Sequence, residues 1–244
     1  MNNILIKVIS LPSSGLRRQQ MSLQLDEIGI PWQFFDALDS LSSCLIAHAG
    51  SWPIMNGRML RESELGCYAS HYELLMMHSK ADEDDILIVL EDDAILDTTY
   101  FKAVDDIINL TRQFGYVKFN GQLIAQSSEV YIQGRRRVVR FHNKVHGSLA
   151  YAIDRRTAIR FCKHLKNVFR PIDIEMDRFW AHGIPVLCLY QPVAIERSAP
   201  TGIVGREFTV SGRTWLLWKI NNQIEKIRCF SANLCYRVGL KRVP

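Results

Sequence analysis

Three consecutive acids, Glu91, Asp92 and Asp93, close the apolar run Ile86-Leu87-Ile88-Val89-Leu90. Five such residues with Ile and Val among them read as a strand buried on both faces. Like charges crowded at its mouth repel one another and lose hydration, so a compensating cation suits the place. Oxygen-only donors favour a hard divalent ion, magnesium or manganese, of the kind that bridges carboxylates to nucleotide phosphates. A solvated, inert acidic turn is the alternative on motif shape alone. Other candidates are spread along the chain. Arg17 and Arg18 follow the first strand, where guanidinium groups can meet diphosphate or base oxygens in pairs of bonds or serve as ordinary surface charges. Lys118 is a charge inside the apolar Tyr116–Phe119 segment, suited to pairing with the same acids or to a sheet edge.

The elements that must hold these groups read as α/β. Ile4 to Ile9 reads as a buried strand, Leu16 to Ile28 has helical spacing, and Trp32 to Phe35 is a second strand, a βαβ unit with a parallel pair. Asp39 to Asn56 has little periodicity and reads as an irregular loop. Glu62 to Lys80 is helical and Asp82 to Asp85 a solvated turn. Further helices are expected over Thr98–Phe114, Arg155–Phe169 and Ile174–Ala181, and strands over Tyr116–Asn120, Gly147–Ile153 and Pro185–Tyr190. Two alternating segments between Gln122 and Arg140 flank Gln133-Gly134-Arg135, a hairpin signal.

The bulk properties fit this reading. The chain has 244 residues, 48% of them hydrophobic, enough for one large core. Its six cysteines have no Cys-x-x-Cys spacing and read as reduced thiols, mostly core. No run of 18 apolar residues occurs and the N-terminus reads as a strand, so a soluble cytoplasmic protein is expected. The net charge is +5, yet residues 211–244 carry seven Lys or Arg against one Glu, which leaves −1 on the rest. Basicity confined to the end argues against a nucleic-acid-binding core. We divide the chain into a catalytic domain, residues 1–205, and a basic amphipathic tail, residues 206–244. In the tail, Trp215, Leu216, Trp218, Ile220, Ile224, Ile227 and Phe230 give an apolar helical face. It suits either an anionic membrane surface or packing on the domain.

Five segments in order resemble glycosyltransferase family 25, whose bacterial members build lipopolysaccharide or lipooligosaccharide sugars. They are Ile9-Ser10-Leu11 with Arg17-Arg18, Phe34-Phe35-Asp36-Ala37, Glu64-Leu65-Gly66-Cys67-Tyr68-Ala69-Ser70-His71, Leu90-Glu91-Asp92-Asp93-Ala94 and Pro171-Ile172-Asp173. The resemblance implies a GT-A-like, Rossmann-related mixed sheet flanked by helices that binds a UDP-hexose, galactose or glucose, and transfers the sugar with inversion. It implies Mn2+ or Mg2+ held by Asp93 and Glu91, in place of the usual Asp-x-Asp, with Glu91 alternatively a partner of the donor's ribose. Ser10, Leu11, Arg17, Arg18, Glu64, Ser70, His71, Glu91 and Lys118 are the expected donor-binding residues, with His71 bonded to Glu91 or Asp93. Inversion needs a base for the acceptor hydroxyl. Asp173 and Asp177, four apart on one helical face, are the candidates, with Asp173 favoured by its Pro-x-Asp position and N-capping its structural alternative.

Two rival classes remain. Another metal-dependent phosphate enzyme lacks support, since strand one ends in Ser10-Leu11-Pro12-Ser13 without an acid and no P-loop occurs. A non-catalytic membrane-surface module is separated from an enzyme by metal-dependent UDP-sugar binding. The expected partners are the UDP-hexose, an oligosaccharide or lipooligosaccharide acceptor and an anionic membrane, with no nucleic acid.

Overall fold

The structure is a computed structural model that describes residues 4–82, 85–121, 126–197 and 209–237. The boundary at 205/206, part of the Asp82–Asp85 turn, the start of the Gln122–Arg140 stretch and the basic Lys241 and Arg242 lie outside the described residues.

The chain opens with β1 (Ile4–Ser10), α1 (Gly15–Ile28) and β2 (Trp32–Asp36), the βαβ unit read from the sequence. After β3 (Ile46–Ala47), α2 (Trp52–Asn56) and α3 (Glu62–His78) comes β4 (Ile86–Glu91), then β5 (Ala94–Leu96), α4 (Thr98–Lys102), α5 (Val104–Phe114) and β6 (Tyr116–Lys118). The hairpin of β7 (Ser127–Gln133) and β8 (Arg136–Phe141) leads to β9 (Ala150–Asp154) and α6 (Arg155–Leu165). The remaining elements are β10 (Asn167–Val168), α7 (Ile172–Met176), α8 (Phe179–His182), β11 (Leu187–Leu189), β12 (Ala194–Glu196) and α9 (Gly212–Arg237). Eight strands form one mixed sheet in the order β2-β1-β4-β9-β6-β11-β8-β7. β1 runs parallel to β2 and β4, whereas β9 runs antiparallel to both its neighbours, β4 and β6.

β4 is buried on both faces because successive side chains enter different cores. Leu87 and Val89 join Tyr68, Leu75 and Phe161 on one side; Ile86, Ile88 and Leu90 join Met21, Leu25 and Phe101 on the other. This arrangement is an α/β mixed sheet flanked by helices, and it brings the ends of β1 and β4 to one edge beside the start of β9.

Several elements differ from the sequence reading. The helix expected over Thr98–Phe114 is broken at Ala103, whose φ −82° and ψ 64° leave the helical region. The Asp39–Asn56 segment is ordered in part, because β3 pairs with β10 and Trp52 Nε1 donates to the Val168 carbonyl at 2.8 Å. That pairing also explains why α6 stops at Leu165 instead of running to Phe169. The short helix expected over Ile174–Ala181 is two helices, α7 and α8, parted at Asp177. A further strand, β12, follows β11 and pairs with β5.

The C-terminal helix α9 packs on α2 and α8. Its packed side is unusual: Glu225, Cys229, Ala232 and Asn233 are buried while Leu216, Ile220, Ile224, Ile227, Phe230 and Leu234 are exposed. Glu225 receives two bonds from Arg178, at 2.8 and 2.9 Å, and one from Trp180 Nε1 at 3.0 Å. Arg178 also donates to Glu175, which Arg170 meets from the other side. Burial alone would raise the Glu175 carboxyl, but His164 and the two guanidinium groups outweigh it and hold it down to about 2. Helical spacing had marked an apolar face without showing which way it turns, and this buried charge cluster decides it.

Candidate active site

At the mouth of β1 and β4 the three acids have three different fates. Asp92 is buried, and both its oxygens are engaged: Ser10 Oγ donates to Oδ2 at 2.6 Å and Arg17 to Oδ1 at 3.2 Å. Asp92 is thus a structural tie between the two strand ends. Asp93 Oδ1 is buried without a hydrogen-bond partner among the described residues, and Oδ2 lies 3.6 Å from Arg17. Burial first, and the charge of Glu91 second, push the Asp93 carboxyl up to about 6. Glu91 Oε1 accepts from Ser148 Oγ at 2.6 Å and lies 3.3 Å from His71 Nε2. Burial would raise the Glu91 carboxyl, yet His71 and Ser148 hold it below its ordinary value. A lone, unpartnered carboxylate oxygen beside a second carboxylate is a donor set that a hard divalent cation would complete.

His71 is fully buried on α3, its Nδ1 3.1 Å from the Tyr151 hydroxyl. Cys67, one turn earlier, brings a thiol within 4.8 Å of the His71 and Glu91 ligand atoms. Burial, followed by the fields of Glu91, Asp173, Glu64 and Asp93, pushes that thiol well above its ordinary value. Sulfur is the softer ligand of this set, so a hard divalent cation is better matched by the oxygen donors. α3 can approach here because Gly66 has no side chain; a Cβ would strike the Leu38 carbonyl. Ser70 completes the contact, accepting from the Leu38 amide at 2.8 Å and donating to Gly66, so it holds the loop and faces no ligand.

The remaining expected residues divide in the same way. Arg18 is committed to the carbonyls of Ser10 and Leu11, to Asp36 and to the ring of Phe34, whereas Arg17 keeps 35% of its side chain exposed at the acids. Leu11 is exposed and takes part through its carbonyl. Glu64 caps α3 and receives both ends of Arg58, at 2.6 and 2.7 Å.

Lys118 neither pairs with the β4 acids nor lies at an edge, because β6 is interior to the sheet. Its ammonium donates to Asp177 Oδ1 at 3.0 Å and to the His146 carbonyl at 3.2 Å. Asp177 is completely buried, and its Oδ2 accepts from the amides of Val145 and His146. An acceptor hydroxyl cannot reach it, so Asp177 is a scaffold residue and not a base. Asp173 is different: it accepts from the Gly147 amide at 3.1 Å and lines a cavity of about 250 Å³ with Arg58, Glu64 and His146.

His146 is the residue the sequence reading missed. It is the only described non-glycine residue with positive φ, at 59°, a conformation that costs about 1–3 kcal/mol and persists only where its surroundings enforce it. Asp177 and Lys118 enforce it through both backbone groups, and the imidazole Nδ1 then lies 4.0 Å from Asp173 Oδ2. The His146-Gly147 pair was the available signal, since glycine commonly marks such a turn.

The family model of glycosyltransferase family 25 (LPS biosynthesis protein) matches residues 3–179, most of the chain. The chain belongs to this family. A "Glycosyltransferase 25 family member" of Drosophila melanogaster is 27% identical over 157 residues, 60% of this chain and 24% of that protein. The "Lipooligosaccharide biosynthesis protein lic2B" of Haemophilus influenzae is 32% identical over 91 residues, 36% of this chain and 33% of that protein. The chain thus spans about a quarter to a third of the length of these relatives. Among solved structures, "Crystal Structure of A197 from STIV" covers 81% of this chain and 95% of its own at 13% identity, with a TM-score of 0.40 that carries no functional weight. Every candidate site residue lies inside the region matched by this family, and α9 lies beyond it.

Proposed function

We propose that the protein transfers galactose or glucose from a UDP-sugar, with inversion, to a saccharide acceptor of lipopolysaccharide or lipooligosaccharide type. The observation that carries this reading is the buried, unpartnered Asp93 Oδ1 beside Glu91 in a family 25 chain. Asp93 and Glu91 would hold Mn2+ or Mg2+, which when bound offsets charge developing on the departing diphosphate. Arg17, partly exposed beside the same acids, is suited to the phosphate oxygens. His71 and Ser148 keep Glu91 ionised and aimed. Asp173 takes the proton from the acceptor hydroxyl as its oxygen bonds the anomeric carbon and the bond to UDP breaks. His146 and the Gly147 amide fix that carboxylate.

No helix among the described residues is long and apolar enough to cross a membrane. The exposed Leu216, Ile220, Ile224 and Ile227, near Lys219, Lys226 and Arg228, support peripheral attachment to an anionic bilayer, on the inner face of the cytoplasmic membrane. The decisive experiment is release of UDP from a panel of UDP-sugars with purified acceptor glycans, with Mn2+ and with a chelator. Turnover of one UDP-hexose, lost on chelation, is expected. No turnover and no binding of any UDP-sugar overturns the reading.

A further inference from the structure

Next to the Asp173 cavity lies a larger one of about 760 Å³, between α9 and the segment from His142 to His146. Lys144, His146, Trp218 and Asn222 line both, so the two adjoin and the larger leads to Asp173. Its walls carry the indoles of Trp180 and Trp218 and the side-chain amides of Asn222 and Gln223. Flat apolar rings and forked donor–acceptor groups match the CH-rich faces and hydroxyl pairs of pyranose rings.

The charge of this groove is equally specific. Lys144, Lys226 and Arg237 line it and make no ion pair among the described residues. Its one carboxylate among the lining residues, Glu225, is already held by Arg178 and Trp180. Lys144 is half-buried, with its ammonium 5.9 Å from the Trp180 ring centroid, so an unpaired cation stands beside a stacking surface.

Turning about 100° per residue, α9 presents three sides. One, with Glu225, Cys229, Ala232 and Asn233, seats the helix; another, with Asn222, Lys226 and Phe230, walls the groove; the third, with Leu216, Ile220 and Ile227, faces outward.

The geometry points to this groove as the acceptor site, selective for a saccharide that carries phosphate or carboxylate groups, with α9 the element that sets the selectivity. The inference rests on the glycosyltransferase reading. It goes further, because α9 lies outside the family match and nothing in the donor chemistry requires its cations.

The test uses the full chain and two probes, a de-acylated lipooligosaccharide with its phosphates and the same glycan after phosphatase treatment, titrated by tryptophan fluorescence. The phosphorylated glycan should bind more tightly, and K144Q/K226Q should weaken it roughly tenfold while leaving the dephosphorylated glycan within about twofold. UDP affinity in Mn2+ is measured in parallel: loss of UDP binding by the unaltered protein counts against the glycosyltransferase reading, whereas intact UDP binding isolates the groove. Equal affinity of K144Q/K226Q and the unaltered protein for the phosphorylated glycan overturns the inference. So does a variant that loses only binding to phosphatidylglycerol vesicles, since the groove would then be a lipid-headgroup site.

Discussion

The Lys118 ammonium lies 3.0 Å from Asp177 Oδ1, with both side chains essentially inaccessible to solvent. This pair does not touch any surface a substrate reaches, yet it holds the left-handed His146 that stands beside Asp173. Removing one partner leaves the other charge buried and unpaired. Asp177→Asn or Lys118→Met should each destabilise the protein by about 3–5 kcal/mol in urea unfolding. The double variant K118M/D177N should recover part of that loss, because the remaining amide oxygen still accepts from Val145 and His146, but not the transfer rate, because the His146 carbonyl loses the Lys118 ammonium. Recovery of full transfer by the double variant would show that the turn needs no ionic support.

Asp93→Asn should separate stability from function. The folded carboxyl is raised to about 6, mainly by burial, so its ionised form is penalised in the native state. That penalty is absent below pH ~4, the range of an unfolded aspartate, and complete above pH ~6. The variant should therefore have a higher Tm than the unaltered protein at pH 7.5, with a gain below about 3 kcal/mol, and no gain at pH 4. Mn2+ binding, read by isothermal titration, should be lost in the variant and should weaken below pH ~6 in the unaltered protein as the proton competes for Asp93. A Tm unchanged at both pH values would contradict the buried environment assigned to this carboxylate.

Asp173→Asn keeps the shape and one of the two backbone bonds, from Gly147 and Ile174, but removes the proton acceptor. Transfer should fall by about 10²–10⁴, while UDP-sugar affinity stays within a factor of about two. Asp177→Asn, by contrast, should show its main effect in stability. A slow Asp177→Asn that is as stable as the unaltered protein would reverse the assignment of base and scaffold.

The outward side of α9 carries its own expectation. Replacing Ile220 and Ile227 together with Asp should reduce sedimentation with phosphatidylglycerol vesicles at least tenfold, because two apolar contacts become charges facing acidic lipid. Transfer to a short water-soluble acceptor should be unchanged, as neither residue lines the groove. Undiminished vesicle binding would assign that face to some other contact.

Much of the edge formed by β1 and β4 was legible in the sequence because its signals are local. A run buried on both faces announces β4, and the acids follow it without a gap; Ser10, Asp92 and Arg17 come together because the parallel pairing of β1 with β4 aligns their ends. What escaped notice depends on contacts distant in sequence. The antiparallel β9 enters between β4 and β6. The backbone of His146 is set by Asp177, 31 residues later. Asp177 itself looked like a base because helical spacing places it with Asp173, whereas α7 ends just before it and turns its carboxylate to Lys118. Apolar spacing in α9 gave the helix, but Glu225 is seated by the Arg178 guanidinium on the α7–α8 link and the Trp180 indole on α8.

Because α9 is anchored through Glu225 to arginine and indole as well as through Cys229, Ala232 and Tyr236, its exposed side chains can change without loosening that seat. Substitutions there would leave the hydrophobic interior and the Glu91–Asp93 acids untouched. A change of glycan target in the proposed acceptor groove therefore needs substitutions on one flank of α9 only, with Glu225 kept.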